Sequence, residues 1–460
     1  MKGTHGDPDL LVIGGGAGGI SAAQAAARRG ASVLIVQDGP IGGDCTFTGC
    51  VPSKALLSAA AMGSEFAEAM DRVRHAVLSV AANEDDDAMA AQGIAVRHGR
   101  ATFTAPGVVD VDGTTIRARR TIVATGARPI VPSIEGLDSS DALTNETLFS
   151  LTRQPQSMAV LGGGPIGVEM AQAFARLGTR ITVVEAEDRV LPREEPGASA
   201  IIARALEADG VELRVGARLE RIESAASGAR LHLSAGASVE VERVLMAIGR
   251  RPSSRGLGLE EIGVALDERG FVVTDDTMRT SVAGVWAVGD VTGRLQFTHA
   301  AARMGLVAAD NALSPLARFR PKRFNARAVP RVTFTDPEVA HVGMTEAEAA
   351  DHGGRVATVP FEALDRAIAS GRTDGYLTLI AGPRRVLGNA GGGRLLGATI
   401  VGPSAGELVN EVALAIQTGM FAGRVAQTVH AYPTWSMALQ IAAAQLFFDV
   451  DGRGHRPAQR

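Results

Sequence analysis

Cys45 and Cys50 are the only two cysteines in a chain of 460 residues, and they stand close together in the segment GGDCTFTGCVPSK. Pro52 suits the first turn of a helix, which places Cys50 at a helix N-terminus, where the dipole favours a thiolate. Residues five apart in a continuous helix are separated by about 8–9 Å at Cα, beyond the reach of a disulfide. For the two sulfurs to meet, the segment 45–49 has to be a turn, which Gly49 permits. A strained, reducible disulfide is one reading of the pair, and two ordinary buried thiols is the other.

A second chemistry is written in glycine. The apolar run 10–13 leads into Gly14-x-Gly16-x-x-Gly19, an alanine-rich helix to Ala27 and a strand at 32–36. This is the spacing of a dinucleotide fingerprint, in which bare backbone lets a pyrophosphate approach a helix N-terminus. The pattern recurs as 158–161, Gly162-x-Gly164-x-x-Gly167, a helix through Arg176 and a strand at 181–184. Gln37 and Glu185 each follow the first glycine of their cluster by 23 residues, so the repeats keep register and two nucleotide sites are implied.

The elements that must carry these groups follow from hydrophobic patterning. Each repeat closes with an apolar strand and a small-residue turn, at 122–126 and 245–249, and a third such strand at 285–290 suggests that the first domain is discontinuous. From about Val329 the texture changes to alternating strands and two helices, at 407–418 and 437–448, as in an α+β domain. The fold class expected is α/β: two nested Rossmann-like nucleotide-binding domains with a C-terminal α+β domain.

Composition excludes much else. Hydrophobic residues make up 46% and charged residues 21%, with a net charge of −4, which disfavours disorder and a nucleic-acid partner. No apolar run approaches the ~18–20 residues of a membrane span, and the first seven residues lead into no signal-peptide core. A cytoplasmic protein without a membrane partner is expected. The histidines lack metal-ligand spacing, and the acidic run 84–87 reads as a solvated segment.

The ordered set GGGAGG, GGDCTFTGCVPSK, IVATGARP, GGGPIGVE, AIGRRP and VWAVGDVTG resembles the pyridine nucleotide-disulfide oxidoreductases, flavoproteins that include lipoamide dehydrogenase, glutathione reductase and mercuric reductase. The resemblance implies an FAD-binding domain at 1–150 and 275–325, an NAD(P)H-binding domain at 151–274, a dimerisation domain at 326–450 and a flexible tail at 451–460. It implies a homodimer whose active sites are shared between subunits. FAD would lie against Gly14, Gly16, Ala17, Gly19, Gly42, Gly43, Asp44, Ala101, Thr125 and Gly126, with Asp290 on its ribityl chain and His299 and Ala300 at its pyrimidine edge. Gln37 takes the place of the usual Glu on the FAD ribose, with Asp38 as a substitute. Lys54 would approach the flavin and pair with Glu169. The nicotinamide nucleotide would lie on Gly162, Gly164, Ile166, Gly167, Glu169 and Gly249. Glu185 would accept its ribose hydroxyls and repel a 2′-phosphate, so NADH is expected over NADPH, with Arg180 and Arg189 opposing. Cys50 would face the flavin and Cys45 the substrate.

One departure bears on the acceptor. Thiol-reducing members carry His-Pro-Thr-x-x-Glu, an imidazole oriented by a carboxylate that shuttles protons for the cysteine nearer the N-terminus. Here the sequence reads Tyr432-Pro433-Thr434-Trp435-Ser436-Met437, and both members of the dyad are gone. A phenol with a pKa of about 10 is a poor base at neutral pH, while His430 is a possible replacement. Tyrosine at this place is similar to mercuric reductases, yet the tail 452–456 contains no thiol, so mercury itself is not expected as the physiological substrate. The expected activity is reduction of a soft metal ion, a quinone or a small reactive oxidant. The alternatives are a lipoamide-type disulfide reductase with a replaced proton shuttle, and a slow redox-sensing module.

Overall fold

The computed structural model describes residues 7–137, 142–225 and 228–460. Residues 1–6, on which the leader reading largely rests, lie outside them. Two compact units divide the chain: Met1–Ser133, Ser139–Gln154 and Leu245–Asn325 form one, and Ile134–Asp138, Pro155–Val244 and Ala326–Arg460 the other.

The first unit is built on five strands in the order Val285–Ala287, Thr121–Val123, Leu10–Ile13, Val33–Gln37 and Ile94–His98, all parallel. Leu10, Leu11, Val12 and Ile13 are all buried, as a strand covered on both faces requires. Each such side chain contributes about 1.5–3 kcal/mol by leaving water. The helix Ala17–Ala27 follows the first glycine cluster and packs against the helix Thr298–Leu313. Small residues make that approach possible, since a Cβ on Gly305 would collide with the Gly18 carbonyl oxygen.

The chain rejoins this unit at Leu245, thirty residues earlier than the expected boundary at 275. The reason is local: Arg250–Pro252 pairs antiparallel with Ala127–Pro129, so the AIGRRP segment belongs with the first strand set.

In the second unit the strands Glu212–Arg214, Arg180–Val184 and Ser157–Leu161 lie side by side in parallel, with the helix Pro165–Arg176 following the second glycine cluster. A six-stranded sheet carries the C-terminal part, ordered Arg331–Thr333, Glu338–Gly343, Arg394–Gly402, Tyr376–Gly382, Arg355–Pro360 and Arg456–Pro457. The helices Ala405–Gln417 and Met437–Gln445 share its apolar core with Phe361, Leu377 and Ile400.

The tail expected to be flexible is docked. Arg456–Pro457 adds an edge strand to Arg355–Pro360, Arg456 pairs with Glu346, and the Ala458 N–H donates to the Gly354 carbonyl at 2.9 Å. Its polar composition hid the strand because an edge strand needs only backbone partners and one exposed face.

Candidate functional site

The two cysteines sit on two helices. Cys45 lies within the short helix Gly43–Phe47 and Cys50 opens the helix Cys50–Ala61, so the expected turn over 45–49 shrinks to Thr48 and Gly49. Gly49 is required there because a Cβ would come within 2.8 Å of the Asp44 carbonyl oxygen. This break brings the sulfurs within hydrogen-bonding reach of each other without joining them. The hydrogen bond with Cys50, followed by burial, pushes the Cys45 thiol far up, while Thr298 opposes the rise. One negative charge on the pair thus suppresses the second.

Thr298 is a site residue that the sequence reading missed. Its Oγ1 lies 3.4 Å from the Cys50 Sγ, and it is the first residue of the helix Thr298–Leu313. Cys50 therefore meets the start of two helices, its own and that of Thr298, and both dipoles favour sulfur as thiolate. Beneath the pair, the buried Thr46 hydroxyl donates to Glu84 Oε2 at 2.7 Å. The acidic run is thus partly structural: Glu84 holds the Cys45 helix and Asp85 caps the helix Asp86–Ala91.

The first glycine cluster forms a bare cradle. A Cβ on Gly19 would strike the Gly14 carbonyl oxygen, and one on Gly43, at φ +65°, would stand 2.9 Å from the Gly16 Cα. The backbones of Gly16 and Gly43 thus face each other at the start of the helix Ala17–Ala27, with Gly42 immediately before Gly43. Gln37 Oε1 accepts the Gly15 N–H at 2.6 Å, and Gln37 Nε2 donates to the Asp38 carbonyl. Asp38 itself turns outward to Arg100, 3.3 Å away.

At the other end stand three charges that the sequence did not connect. Arg250 bonds Asp44 and the Ala127 carbonyl, and its Nε lies 3.4 Å from Asp290 Oδ2. Burial pushes Asp290 up to about 6, with Arg250 pulling the other way. The signal for Arg250 was present in AIGRRP, but its partners lie far away in sequence. Thr125 Oγ1 donates to the Ser253 carbonyl at 2.8 Å and the Gly126 carbonyl accepts the Ser253 N–H, tying both to the same segment. Ala101 and Ala300 are buried, and the His299 ring stacks on Phe297 at 5.6 Å. Gly249, expected with the nicotinamide nucleotide, sits in this unit, where its carbonyl accepts the Ile130 N–H at 3.0 Å. Lys54 lies in the second turn of the cysteine helix.

The second cradle repeats the first. A Cβ on Gly167 would strike the Gly162 carbonyl oxygen, and Gly164 precedes the helix Pro165–Arg176, on which Ile166 is exposed. Glu185 Oε2 accepts the Gly163 N–H at 2.6 Å and its Oε1 the Glu187 N–H at 2.8 Å. Arg189 is engaged within its own loop by Asp188 at 3.3 Å and the Pro192 carbonyl at 3.0 Å. Glu169 is buried, and its Oε1 accepts the Phe334 N–H at 2.9 Å.

Near the C-terminus Tyr432 is 69% exposed, and its hydroxyl donates to Asp365 Oδ2 at 2.9 Å. That hydrogen bond raises the phenol above its ordinary range. His430 is withdrawn from solvent, its side chain 4% exposed: Nδ1 lies 2.9 Å from the Thr428 carbonyl, and Nε2 lies 3.3 Å from Glu411 without a hydrogen bond. Met437 opens the helix Met437–Gln445.

Both cradles fit a dinucleotide, each with side-chain-free backbone, a helix start and a polar side chain at the end of the second strand. Among the described residues no three His, Cys, Asp or Glu side chains are grouped so as to hold a metal ion. None of the described helices is long and apolar enough to cross a membrane.

Residues 8–305 match the family model "pyridine nucleotide-disulphide oxidoreductase", and 329–443 match its dimerisation domain. The chain is similar to a mercuric reductase of Streptomyces lividans, 36% identical over 98% of both chains. It is also similar to a dihydrolipoyl dehydrogenase of Thermus scotoductus, 35% identical over 95% of this chain and 97% of that one. Among solved structures, the HOCl-induced flavoprotein disulfide reductase RclA from Escherichia coli superposes with a TM-score of 0.86 at 30% identity, covering 95% of this chain and 99% of that chain. The same protein has been solved as a Cu(II) complex. With both domains matched and relatives aligned along nearly the whole length, the chain belongs to the pyridine nucleotide-disulphide oxidoreductases, FAD-dependent enzymes that use NAD(P)H.

Proposed function

We propose that this enzyme draws electrons from NADH and delivers them through the Cys45/Cys50 pair to a soft metal ion, a quinone or a small reactive oxidant. The observation that carries this reading is the meeting of the two sulfurs at the start of two helices, beside Thr298. FAD, held by the Gly14–Gly19 cradle, Gly43 and the Asp44/Arg250/Asp290 group, supplies the two-electron link between nicotinamide and thiols. Cys50 is the sulfur kept as thiolate, and Cys45 is the one that meets the acceptor. Lys54 and Glu169 serve the nicotinamide end of the reaction.

Preference for NADH rests on Glu185, a carboxylate held by two backbone N–H groups, which on this reading meets the ribose, while Arg189 is turned to its own loop. The matched dimerisation domain supports a homodimer. In domain terms, the FAD-binding part is 1–150 with 275–325, to which the Arg250 segment is joined, the rest of 151–274 binds the nicotinamide nucleotide, and 326–450 dimerises.

The acceptor class rests on Tyr432 standing where thiol-reducing members carry histidine, with the His430 side chain buried. Relatives named for mercury, and one solved with Cu(II), are consistent with soft or borderline metal chemistry at such a dithiol. Oxidation of NADH against a panel of cupric ion, mercuric ion, a benzoquinone, hypochlorous acid, lipoamide and glutathione disulfide tests the reading. Turnover of metals, quinone or oxidant well above the disulfides supports it. Disulfide turnover at the rate of dedicated disulfide reductases favours the lipoamide-type alternative, and absence of turnover with every acceptor favours the redox-sensing module.

A further inference from the structure

The loss of the His/Glu dyad leaves open what orients the phenol that replaces the imidazole. Met437 cannot, but a carboxylate arrives from another element. Asp365 opens the short helix Asp365–Ser370 and accepts the Tyr432 hydroxyl at 2.9 Å. The loop is pinned to the same segment twice more: the Trp435 ring lies 5.3 Å from the Phe361 ring, and the Arg366 guanidinium lies 6.0 Å from the Trp435 centroid. Three contacts thus join residues 361–366 to 432–435, and one of them fixes the direction of the phenolic hydrogen.

We propose that Asp365 is a positioning residue that determines acceptor specificity by engaging the phenolic hydrogen of Tyr432. The phenol then presents only its oxygen lone pairs to the acceptor, next to a carboxylate charge. A cation is favoured by both features and needs no proton. A disulfide is not favoured. When Cys45 attacks it, a new S–S bond forms, the substrate S–S bond breaks, and the departing sulfur takes a proton, which the Tyr432 hydroxyl does not supply while its hydrogen is directed to Asp365. This inference rests on the proposed function, in which Tyr432 takes the place of the proton-shuttling histidine, and it adds the residue that sets the direction of its proton.

The test has two arms, because the sequence contains only two tyrosines. Tyr376 is buried, and that burial pushes its phenol well up, so its signal stays apart. Replacing both with 3-fluorotyrosine gives two ¹⁹F resonances, and Tyr432→Phe assigns them. The Tyr432 signal is expected to ionise at higher pH in the wild type than in Asp365→Ala, with Asp365→Glu restoring it. The other charges close to this loop, Arg366 and the His430–Glu411 pair, are unchanged in these variants. Equal ionisation in wild type and Asp365→Ala overturns the pairing.

In the second arm, Asp365→Ala is expected to raise lipoamide turnover relative to cupric-ion turnover about tenfold, less than the ~10²–10⁴ of a well-matched general acid because a phenol is a weak one. Asp365→Glu should restore the wild-type ratio, and in a Tyr432→Phe background Asp365→Ala should leave the ratio unchanged. A merely structural role would add its effect in that background too and overturns the proposal, as does an unchanged ratio in the single variant. Wild-type protein inactive with every acceptor overturns the proposed function itself, while the ¹⁹F arm still decides whether Asp365 controls the phenol.

Discussion

Thr298 Oγ1 stands 3.4 Å from the Cys50 sulfur, although 248 residues separate them in sequence. A hydroxyl at that distance stabilises a thiolate by donating to it, and it adds to the field of the helix it opens. Thr298→Val keeps the shape and removes the hydroxyl. In the reduced protein, alkylation by iodoacetamide at pH 7.5 should slow several-fold in this variant, with Thr298→Ser close to wild type. Unchanged alkylation would remove Thr298 from the site.

The two cysteines should differ once the flavin is bound. Cys45→Ser leaves Cys50 at the helix N-terminus without a disulfide partner, so the yellow protein should show long-wavelength thiolate–flavin absorbance without reductant. Cys50→Ser should lack it under all conditions. Identical visible spectra in the two variants would contradict the assignment of Cys50 as the thiolate.

Glu185 and Gln37 occupy the same register in the two cradles, and each accepts a glycine N–H at 2.6 Å. Only Glu185 carries a charge. Glu185→Gln preserves an acceptor for Gly163 while removing the repulsion, so kcat/KM for NADPH should rise about tenfold relative to NADH, a modest surface-range electrostatic effect. A ratio that does not move would mean that the carboxylate plays no part in the choice.

Asp290 predicts a pH dependence with a definite sign. Burial raises it from 3.8 to about 6 in the folded chain, so between those values the native state binds more protons than the unfolded state. Its contribution is therefore destabilising as pH rises through that window and constant above it. In the FAD-free protein Asp290→Asn should have a higher melting temperature than wild type at pH 7, worth roughly 2–3 kcal/mol. The gap should close by about pH 4. A gap that widens on acidification would reverse the sign and refute the account.

Much of this protein was legible in its sequence because the signals are local. The glycine fingerprints, the strand before each and the helix after each span fewer than thirty residues, and the steric demand for bare backbone admits few substitutes. Cys50 at a helix start was readable from Pro52 for the same reason. The short helix around Cys45 was not, because five residues without hydrophobic periodicity give no helical pattern to read.

The partners were decided by tertiary structure. Arg250 finds Asp44, Thr298 finds Cys50 and Tyr432 finds Asp365, across 206, 248 and 67 residues. Sequence determined that two dinucleotide cradles and a thiol pair exist, since each is a conformational requirement on a few neighbouring residues. Only the fold determined which charge answers which, because a side-chain hydrogen bond between distant elements depends on sheet order and helix packing and leaves no periodic trace in either segment.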